Sequence, residues 1–545
     1  MSSSTTIAVL SFYEVSEAPM GGFRRGITSG GKHKVPSKSK PSSEIQLFAY
    51  QVMQVGRASE NDMIISHESV SRKHFMLYSV TYSDDGSDDG DALVYLRDCG
   101  SKTGTFIKSR SNDPQRVSRR GFLLSHGDII KIQPSWEVYV HLTMRVATTP
   151  SLSHLRLSEH NAFNKNSHIS RLRLGKGTFG TVHLATDMRS KKQIACKIHS
   201  LDKDRWSSAH IRRMFDEIEV LNQIGHPNLL KFAGAFRLDK TLYTFTELAM
   251  GGDLFSLHQR CRDGIPEQSA QIILRQIVSA VAFLHRHNIA HRDLKLENIY
   301  FAEGPVSKST ITRVIVGDLG VAKEYTVSRM KSKVGTPGYQ APEIFSHECY
   351  DLKVDVWAIG KIALVLMCPA FYDTELPEAL IEDQTGLAIP QEMMKEMLDD
   401  IFNLNFESYG INLSKQFTRF VRQCLTVDPA QRTSVDDCVS HIWFKKNKNL
   451  DKYIWALKRG WKPPKPTLGR IENLYDHSIS FSHSQTLIDE DDPTPTDHEV
   501  PHSEQVSDSE EIVDHEQASD HEEDFESEVV SSDSEDSSSF VSDEG

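Results

Sequence analysis

The sequence predicts a multidomain chain: an all-β sandwich, then a larger bilobal α+β domain, with a disordered arm in front and an acidic disordered tail behind. Three observations predict it. Short apolar runs separated by turn residues fill residues 46–144, and alternation rich in β-branched and aromatic residues reads as strands. From Ile169 strand-like runs come first (RLRLGKG, GTVHLAT, QIACKI) and helical periodicity follows (SAQIILRQIVSAVAFLH, KVDVWAIGKIALVLM), a segregated α+β order. The stretch from Ile471 to Gly545 is Ser-rich, with 25 Asp and Glu and no Lys or Arg, too polar to fold by itself.

These signals divide the 545 residues. Residues 1–43, rich in Ser, Gly and Lys, read as a flexible arm, 44–146 as the sandwich and 147–168 as a linker. Residues 169–444 read as the α+β domain, 445–470 as a basic extension and 471–545 as the tail. Within the sandwich the run DDGSDDGD, Asp84–Asp91, reads as a charged loop. The chain carries 62 Lys and Arg against 75 Asp and Glu. With 25 of those acids in the tail, the first 470 residues hold a net +12, and the formal −13 describes neither part.

The seven cysteines are odd in number, scattered and without a Cys-x-x-Cys pair, which predicts free thiols in a reducing compartment and no zinc site. The first residues lack a signal-peptide profile. The longest apolar stretch, Val356–Met367, is short and interrupted by Lys361, so no membrane span or membrane partner is expected. Nor is direct nucleic-acid binding.

The glycine-rich run Leu174-Gly175-Lys176-Gly177-Thr178-Phe179-Gly180-Thr181-Val182 joins two strand-like segments. Glycines let a backbone close over phosphates and offer unobstructed N–H donors. Alone, such a run is as readily a plain turn or a dinucleotide site, but a dinucleotide fold needs a helix next and none is written here. Downstream residues add chemistry in order. Lys197 (IACK) lies on a strand; it either snorkels from a strand end or is a cation held by Glu217 on the following helix. His291-Arg292-Asp293-Leu294-Lys295-Leu296-Glu297-Asn298 supplies a carboxylate, a cation and an amide within six residues. Gly317-Asp318-Leu319-Gly320 adds a second carboxylate in a turn, and Ala341-Pro342-Glu343 closes the segment.

Over about Ile169–Phe444 these motifs resemble the protein kinase family. The resemblance implies ATP and Mg²⁺. Lys197 would orient the phosphates and pair with Glu217, Asp293 would accept the substrate hydroxyl proton, and Lys295 would steady the transferring phosphoryl. Asn298 and Asp318 would hold the metal. Leu174 to Gly180, Val182, Glu247 and Ala249 would line the nucleotide site. Asp355 and Trp357 match the support of the catalytic loop, and Arg432 the partner of Glu343. Leu319 departs from the family's usual Phe, which an apolar Leu can replace; a silent kinase fold would more readily lose Lys197, Asp293 or Asp318, all present.

Lys295, two residues after Asp293, together with Thr336, Gly338 and Tyr339, is similar to the serine/threonine version of the family. Asp253 and Glu297 match acidic positions that in basophilic members receive a substrate arginine, expected three residues before the acceptor; the alternative is two solvated acids. Arg292 is expected as an unneutralised cation that a phosphate on the activation segment would complete. Among Thr326, Ser328, Ser332 and Thr336 the spacing favours Ser332 for that phosphate and gives Thr336 a role in substrate binding.

In front, Gly56-Arg57, Ser71-Arg72-Lys73-His74 and Gly100-Ser101-Lys102-Thr103-Gly104-Thr105-Phe106-Ile107 fall between strands. Two guanidinium groups and a hydroxyl suit a phosphate, each charge-assisted bond contributing roughly 1.5–3 kcal/mol. As a set they resemble the forkhead-associated (FHA) domain. The resemblance implies phosphothreonine binding by Arg57, Ser71 and Arg72, and packing by His74. Thr103 stands where the family usually has Asn, which bears on affinity and partner choice. The alternative is a sandwich that binds nothing.

An FHA domain joined to a basophilic kinase is similar to the checkpoint and meiotic kinases. This implies protein substrates, recruitment to a phosphothreonine-bearing scaffold or sister kinase, and a transient homodimer for mutual phosphorylation. Ser484-Gln485 is the one Ser/Thr-Gln site, which shifts weight from a plain checkpoint effector toward a meiotic or downstream one. Basic stretches at Lys445–Lys448 and Lys458–Lys465 suit nuclear import or a solvated surface, so the nucleus is the expected location, with the cytoplasm second. A phosphopeptide-binding scaffold with an inactive kinase fold is the competing function.

Overall fold

A computed structural model describes residues 6–14, 41–80, 92–143 except 110–113 and 118, and 167–202 except 178–179. It also describes 207–324 except 239 and 321, 335–373 except 337 and 346–348, and 395–399 except 397. The last described residues are 413–459 except 446 and 448, 461–462 and 471–472. The Asp84–Asp91 loop and the tail beyond Glu472 lie outside them.

The front domain is a sandwich of two sheets. Its strands are β1 (Thr6–Glu14), β2 (Ser43–Phe48), β3 (Val52–Gly56), β4 (Met63–Ile64), β5 (Phe75–Val80) and β6 (Leu93–Asp98). They continue with β7 (Thr105–Lys108), β8 (Gln115–Arg116), β9 (Phe122–Leu123), β10 (Ile129–Ile132) and β11 (Trp136–Leu142). One sheet runs β2-β1-β11-β10-β7-β8, the other β4-β3-β5-β6-β9. Inward side chains from both, among them Leu10, Met53, Phe75, Leu77, Leu96, Ile130 and Val138, form the core, as expected where each strand alternates between two faces.

This corrects the reading of residues 1–43 as a disordered arm. Thr6–Glu14 is an inner strand, paired with β2 on one side and with β11 on the other. Ile7, Ala8, Leu10 and Phe12 are buried in the sandwich core. The long Ser/Gly/Lys-rich stretch that follows separates this strand from the rest of the domain in sequence, and so hides it.

The second domain opens with β12 (Ser167–Gly177), β13 (Gly180–Asp187) and β14 (Lys192–Ser200), then α1 (Ser208–Gln223), β15 (Phe232–Leu238) and β16 (Thr241–Glu247). Its sheet runs β12-β13-β14-β16-β15, and a short strand β21 (Ile471–Glu472) lies parallel to β15 at its edge. The strand β12 thus begins inside the expected linker, and the first two residues of the expected tail belong to the sheet.

The helical lobe is built on α2 (Leu254–Arg260), α3 (Glu267–Arg286) and α4 (Val354–Met367). Short pairs β17 (Ile289–Ala290) with β20 (Lys323–Glu324), and β18 (Ile299–Phe301) with β19 (Val314–Val316), carry the loops between them. All fourteen residues of α4 are buried, so its near-continuous apolar sequence is that of a central helix with no solvent face. Against it pack α5 (Ala370–Asp373) and α6 (Lys415–Cys424), followed by α7 (Val435–Ser440), α8 (Ile442–Lys445) and α9 (Leu450–Lys458). The helix α9 sits in the expected basic extension, with Leu450 and Ile454 buried. Among the described residues no helix is long and apolar enough to cross a membrane.

A chain beginning at residue 44 is expected to lose at least ~5 kcal/mol of sandwich stability, because several core side chains vanish together. Denaturant unfolding of the front domain checks this; an unchanged midpoint would return Thr6–Glu14 to the status of an accessory arm.

Candidate functional site

Three elements bring charge to the cleft between the two lobes. The strand β14 supplies Lys197, α1 supplies Glu217, and the turn after β19 supplies Asp318. The Lys197 ammonium lies 3.3 Å from both Glu217 oxygens and 3.6 Å from Asp318 Oδ1. Burial works against the ammonium, yet the two carboxylates outweigh it and hold its pKa above the ordinary lysine value. Lys197 therefore stays charged. Its charge holds Asp318 below the usual carboxylate range against the opposing effect of burial, whereas burial pushes Glu217 up. Two acids on one half-buried cation is an arrangement poised for further positive charge.

The sheet fixes how the glycine-rich run turns. Gly177 pairs with Gly180 across the β12–β13 hairpin. A side chain at Gly180 would stand 2.2 Å from the Ile198 carbonyl, so only glycine lets β13 lie this close to β14. Leu174 and Val182 are half-buried. Thr178 and Phe179 fall outside the described residues.

The loop after β17 holds the second cluster. Thr336 Oγ1 donates to Asp293 Oδ1 at 2.7 Å and accepts from Lys295 Nζ at 2.8 Å. Asn298 Nδ2 donates to the other Asp293 oxygen at 3.0 Å and to the Asp293 carbonyl at 2.8 Å. Lys295 Nζ stands 3.6 Å from Asp293 Oδ2. Both oxygens of Asp293 thus have fixed donors, and the carboxylate cannot rotate freely.

Beneath that loop Asp355, 1% exposed, accepts from the backbone N–H of His291 and of Arg292, each at 2.8 Å, and from His285 Nε2 at 2.9 Å. Burial alone would raise its pKa; the His285 bond and the nearby histidines and amides lower it. Arg292, whose N–H Asp355 holds, has φ of 67°, and Asp318, in the turn after β19, has φ of 54°, both in the left-handed region that is strained for non-glycine residues. Arg432 pairs bidentately with Glu343 at 2.5 and 2.8 Å, tying the end of the activation segment to the core.

Several expectations change here. The Arg292 guanidinium donates to the Tyr350 hydroxyl at 3.3 Å, a neutral acceptor that orients the cation. Asp253 is buried and Glu297 half-buried, so neither is a freely solvated acid. Asp253 caps α2, accepting from Ser256 N at 2.6 Å. Glu297 accepts from the Tyr372 hydroxyl at 3.4 Å, while its Oε2 is buried with no partner among the described residues. Burial, with Asp253 and Asp293 nearby, raises its pKa. The Glu247 side chain binds Arg313 at 2.6 Å and the Lys231 N–H at 3.0 Å, which leaves only its backbone for a ligand; Ala249 follows two residues on. Thr326, Ser328 and Ser332 lie outside the described residues.

In the front domain, three loops converge. Arg57 Nε donates to the Val70 carbonyl, Thr103 Oγ1 to the Ser69 carbonyl, and the Lys102 N–H to Ser71 Oγ. His74, fully buried, accepts the Ser71 N–H on Nδ1 at 3.0 Å. Its Nε2 therefore carries the proton and faces the Gly104 carbonyl at 3.4 Å. Arg72 is exposed, 3.5 Å from Glu60. The face is stitched together by His74 and by Asp98, which accepts from the N–H groups of Gly100 and Ser101 and from the hydroxyls of Ser101 and Thr105.

His285 and Arg313 escaped sequence reading. Nothing in the residues around His285 sets it apart from other polar positions on an amphipathic helix, and Arg313 meets Glu247 across 66 residues.

Comparison with known proteins agrees with this geometry. The protein kinase domain model matches residues 169–444 and the FHA domain model residues 53–133. A meiosis-specific serine/threonine-protein kinase, mek1 of Schizosaccharomyces pombe, is 30% identical over 432 residues, 76% of this chain and 86% of that protein. Calcium/calmodulin-dependent protein kinase type 1B of Homo sapiens is 32% identical over 55% of this chain and 81% of its own. Calcium-dependent protein kinase 3 of Plasmodium berghei is 33% identical over 63% and 53% respectively.

Thr336→Val, which keeps shape and removes the hydroxyl, is expected to lower turnover by about ten-fold or more, the cost of one lost buried bond at the carboxylate. Steady-state kinetics checks this. An unaffected rate would show that Asp293 is positioned without Thr336.

Proposed function

The chain belongs to the protein kinase family and carries an FHA domain, and we propose that this serine/threonine kinase phosphorylates sites preceded by arginine on partners that its FHA domain gathers through phosphothreonine. The observation that carries the reading is the doubly anchored Asp293 carboxylate, on a loop tied to the turn that carries Asp318 by the His291 Nε2–Gly317 carbonyl contact and the bond from the Gly317 N–H to the Asn298 carbonyl.

ATP is the phosphoryl donor. The substrate hydroxyl loses its proton to Asp293 as its oxygen bonds to the γ-phosphorus. The bond from that phosphorus to the bridging oxygen breaks, and ADP leaves. Thr336 and Asn298 hold Asp293 in place, and Lys295 offers positive charge beside the oxygens that gain negative charge. Lys197 would hold the donor phosphates. Kinases need a divalent cation, and Asp318 with Asn298 would hold Mg²⁺. Two oxygen-bearing side chains are too few for a closed metal cage but fit an ion that keeps phosphate and water ligands. When bound it neutralises phosphate charge; the residues above do the positioning.

The preference for arginine is supported by the buried, unpartnered Glu297 Oε2 beside Asp253. A buried carboxylate oxygen without a donor is costly, and a guanidinium is the natural group to satisfy it. Convergence of Arg57, Ser71 and Thr103 on one loop supports phosphothreonine docking, with Arg72 exposed nearby. Likeness to a meiosis-specific kinase along most of both chains supports a role in meiotic signalling, hence a nuclear site of action. Ser332 is the proposed activating phosphosite, and clustering through FHA contacts would let one copy phosphorylate another as a transient homodimer.

A degenerate serine/threonine peptide library with Mg²⁺ and ATP tests the reading. Arginine three residues before the acceptor is expected to dominate the products. Asp293→Asn should lower turnover by about 10²-fold or more, as loss of a general base does. Turnover indifferent to that substitution would remove Asp293 from the chemistry, and a library without basic selection would remove Glu297 and Asp253 from substrate recognition.

A further inference from the structure

A sandwich strand ordinarily shows one apolar face to the core and a polar one to water. The strands β5 and β6 do not. Phe75, Leu77, Val94 and Leu96 enter the sandwich core. The alternate residues Tyr78, Val80, Leu93 and Tyr95, with Leu123 of β9, are just as buried, and they form a separate cluster with Leu184, Leu248 and Met250 of the kinase domain. Leu172, Leu174 and Ala195 pack around it. The outer face of this FHA sheet is therefore an interface, and an FHA domain by itself would leave two tyrosines and three aliphatic side chains in water.

Directional bonds accompany the apolar contact. The Gln193 side chain pairs with the backbone of Leu123 in both senses, accepting its N–H at 2.7 Å and donating to its carbonyl at 2.9 Å. Arg97 donates to the Gly304 carbonyl at 2.7 Å and to the Arg119 carbonyl at 2.9 Å, so it spans the seam. Arg120 faces Glu303 at 3.6 Å. Tyr78, stacked on Tyr95 at 5.5 Å, lies so near Gly304 that a side chain there would stand 2.3 Å from its ring.

The kinase side of this seam includes the hinge. Leu248 and Met250 flank Ala249 in the segment Glu247–Gly252, and Leu174 opens the glycine-rich run. We infer that the FHA domain is docked in cis against the hinge and acts as a brace, with Tyr78, Tyr95, Arg97 and Gln193 as positioning residues for ATP. This rests on the reading of Leu174, Glu247 and Ala249 as the nucleotide site. The effect acts on the hinge and not on Asp293, so it belongs to donor binding rather than to phosphoryl transfer.

Two variants open the seam from opposite sides in the full-length chain: Tyr78→Ala, which leaves the kinase sequence intact, and Gly304→Val, which leaves the FHA sequence intact. Both are expected to raise KM for ATP about five-fold or more while kcat stays within about two-fold, the pattern of lost ground-state binding. Affinity for a phosphothreonine peptide, abolished by Arg57→Ala as a control, should be unchanged. Hydrogen exchange is expected to quicken together at residues 248–251 and at β9 in both variants, whether or not the protein turns over ATP. Faster exchange without any ATP turnover in the parent would keep the docking and overturn the kinase reading. Parent-like KM and parent-like exchange in both variants would overturn the brace.

Discussion

The charge cluster of Lys197, Glu217 and Asp318 is the constraint on which the rest of the molecule depends. It joins a strand, a helix and a turn that are far apart in sequence and belong to different lobes. A half-buried ammonium is stabilised by opposite charge beside it, so the meeting of these three elements favours the arrangement of each. The lysine remains charged, and Asp318 remains ionised because of it. The same meeting marks the place where, on the proposed function, triphosphate charge would be received.

A second network answers it from the helical lobe. Asp355 on the fully buried α4 holds the backbone of the catalytic loop from below, and Thr336 and Asn298 hold Asp293 from the sides. Electrostatic catalysis works when donors and charges are already oriented before reaction, and here the orientation derives from the most buried helix in the structure. The FHA domain adds a third support. Strands β5 and β6 begin or end at the loops carrying Ser71, Arg72 and Thr103, and along their length present Tyr78 and Tyr95 to the kinase hinge. The loops proposed to take a phosphopeptide and the hinge are thus attached to the same two strands, a physical route by which binding at one would be felt at the other.

Much of this was legible in the residues. Lys197, Glu217 and Asp318, and Asp293 with Asn298, which the structure brings together, stand out in the sequence because phosphoryl-transfer chemistry asks for fixed residue types in a fixed order. The helical lobe announced itself because its central helix is apolar all round. What stayed hidden follows from the locality of sequence patterns. The strand Thr6–Glu14 is separated from its partners by a polar stretch, so its apolar run had no neighbour to give it meaning. The runs FMLYSV and ALVYL were readable as strands, but a continuous apolar run does not reveal that its second face meets another domain. Asp253 and Glu297 were recognisable as acids at interesting positions, whereas their burial depends on packing that no local pattern encodes. Arg313 found Glu247, and Gln193 found Leu123, only through tertiary structure.

The central claim is that one strand-borne ammonium, held between two carboxylates, organises a nucleotide's phosphates for transfer to a hydroxyl. Transfer of labelled phosphate from the γ-position of ATP to a serine/threonine substrate, comparing the native chain with Lys197→Met, tests it most directly. The native protein should label the substrate, and the variant should label it at least about 10²-fold more slowly, as loss of a preorganised charge in a buried site does. Equal labelling by the two, or none by the native chain, would contradict it.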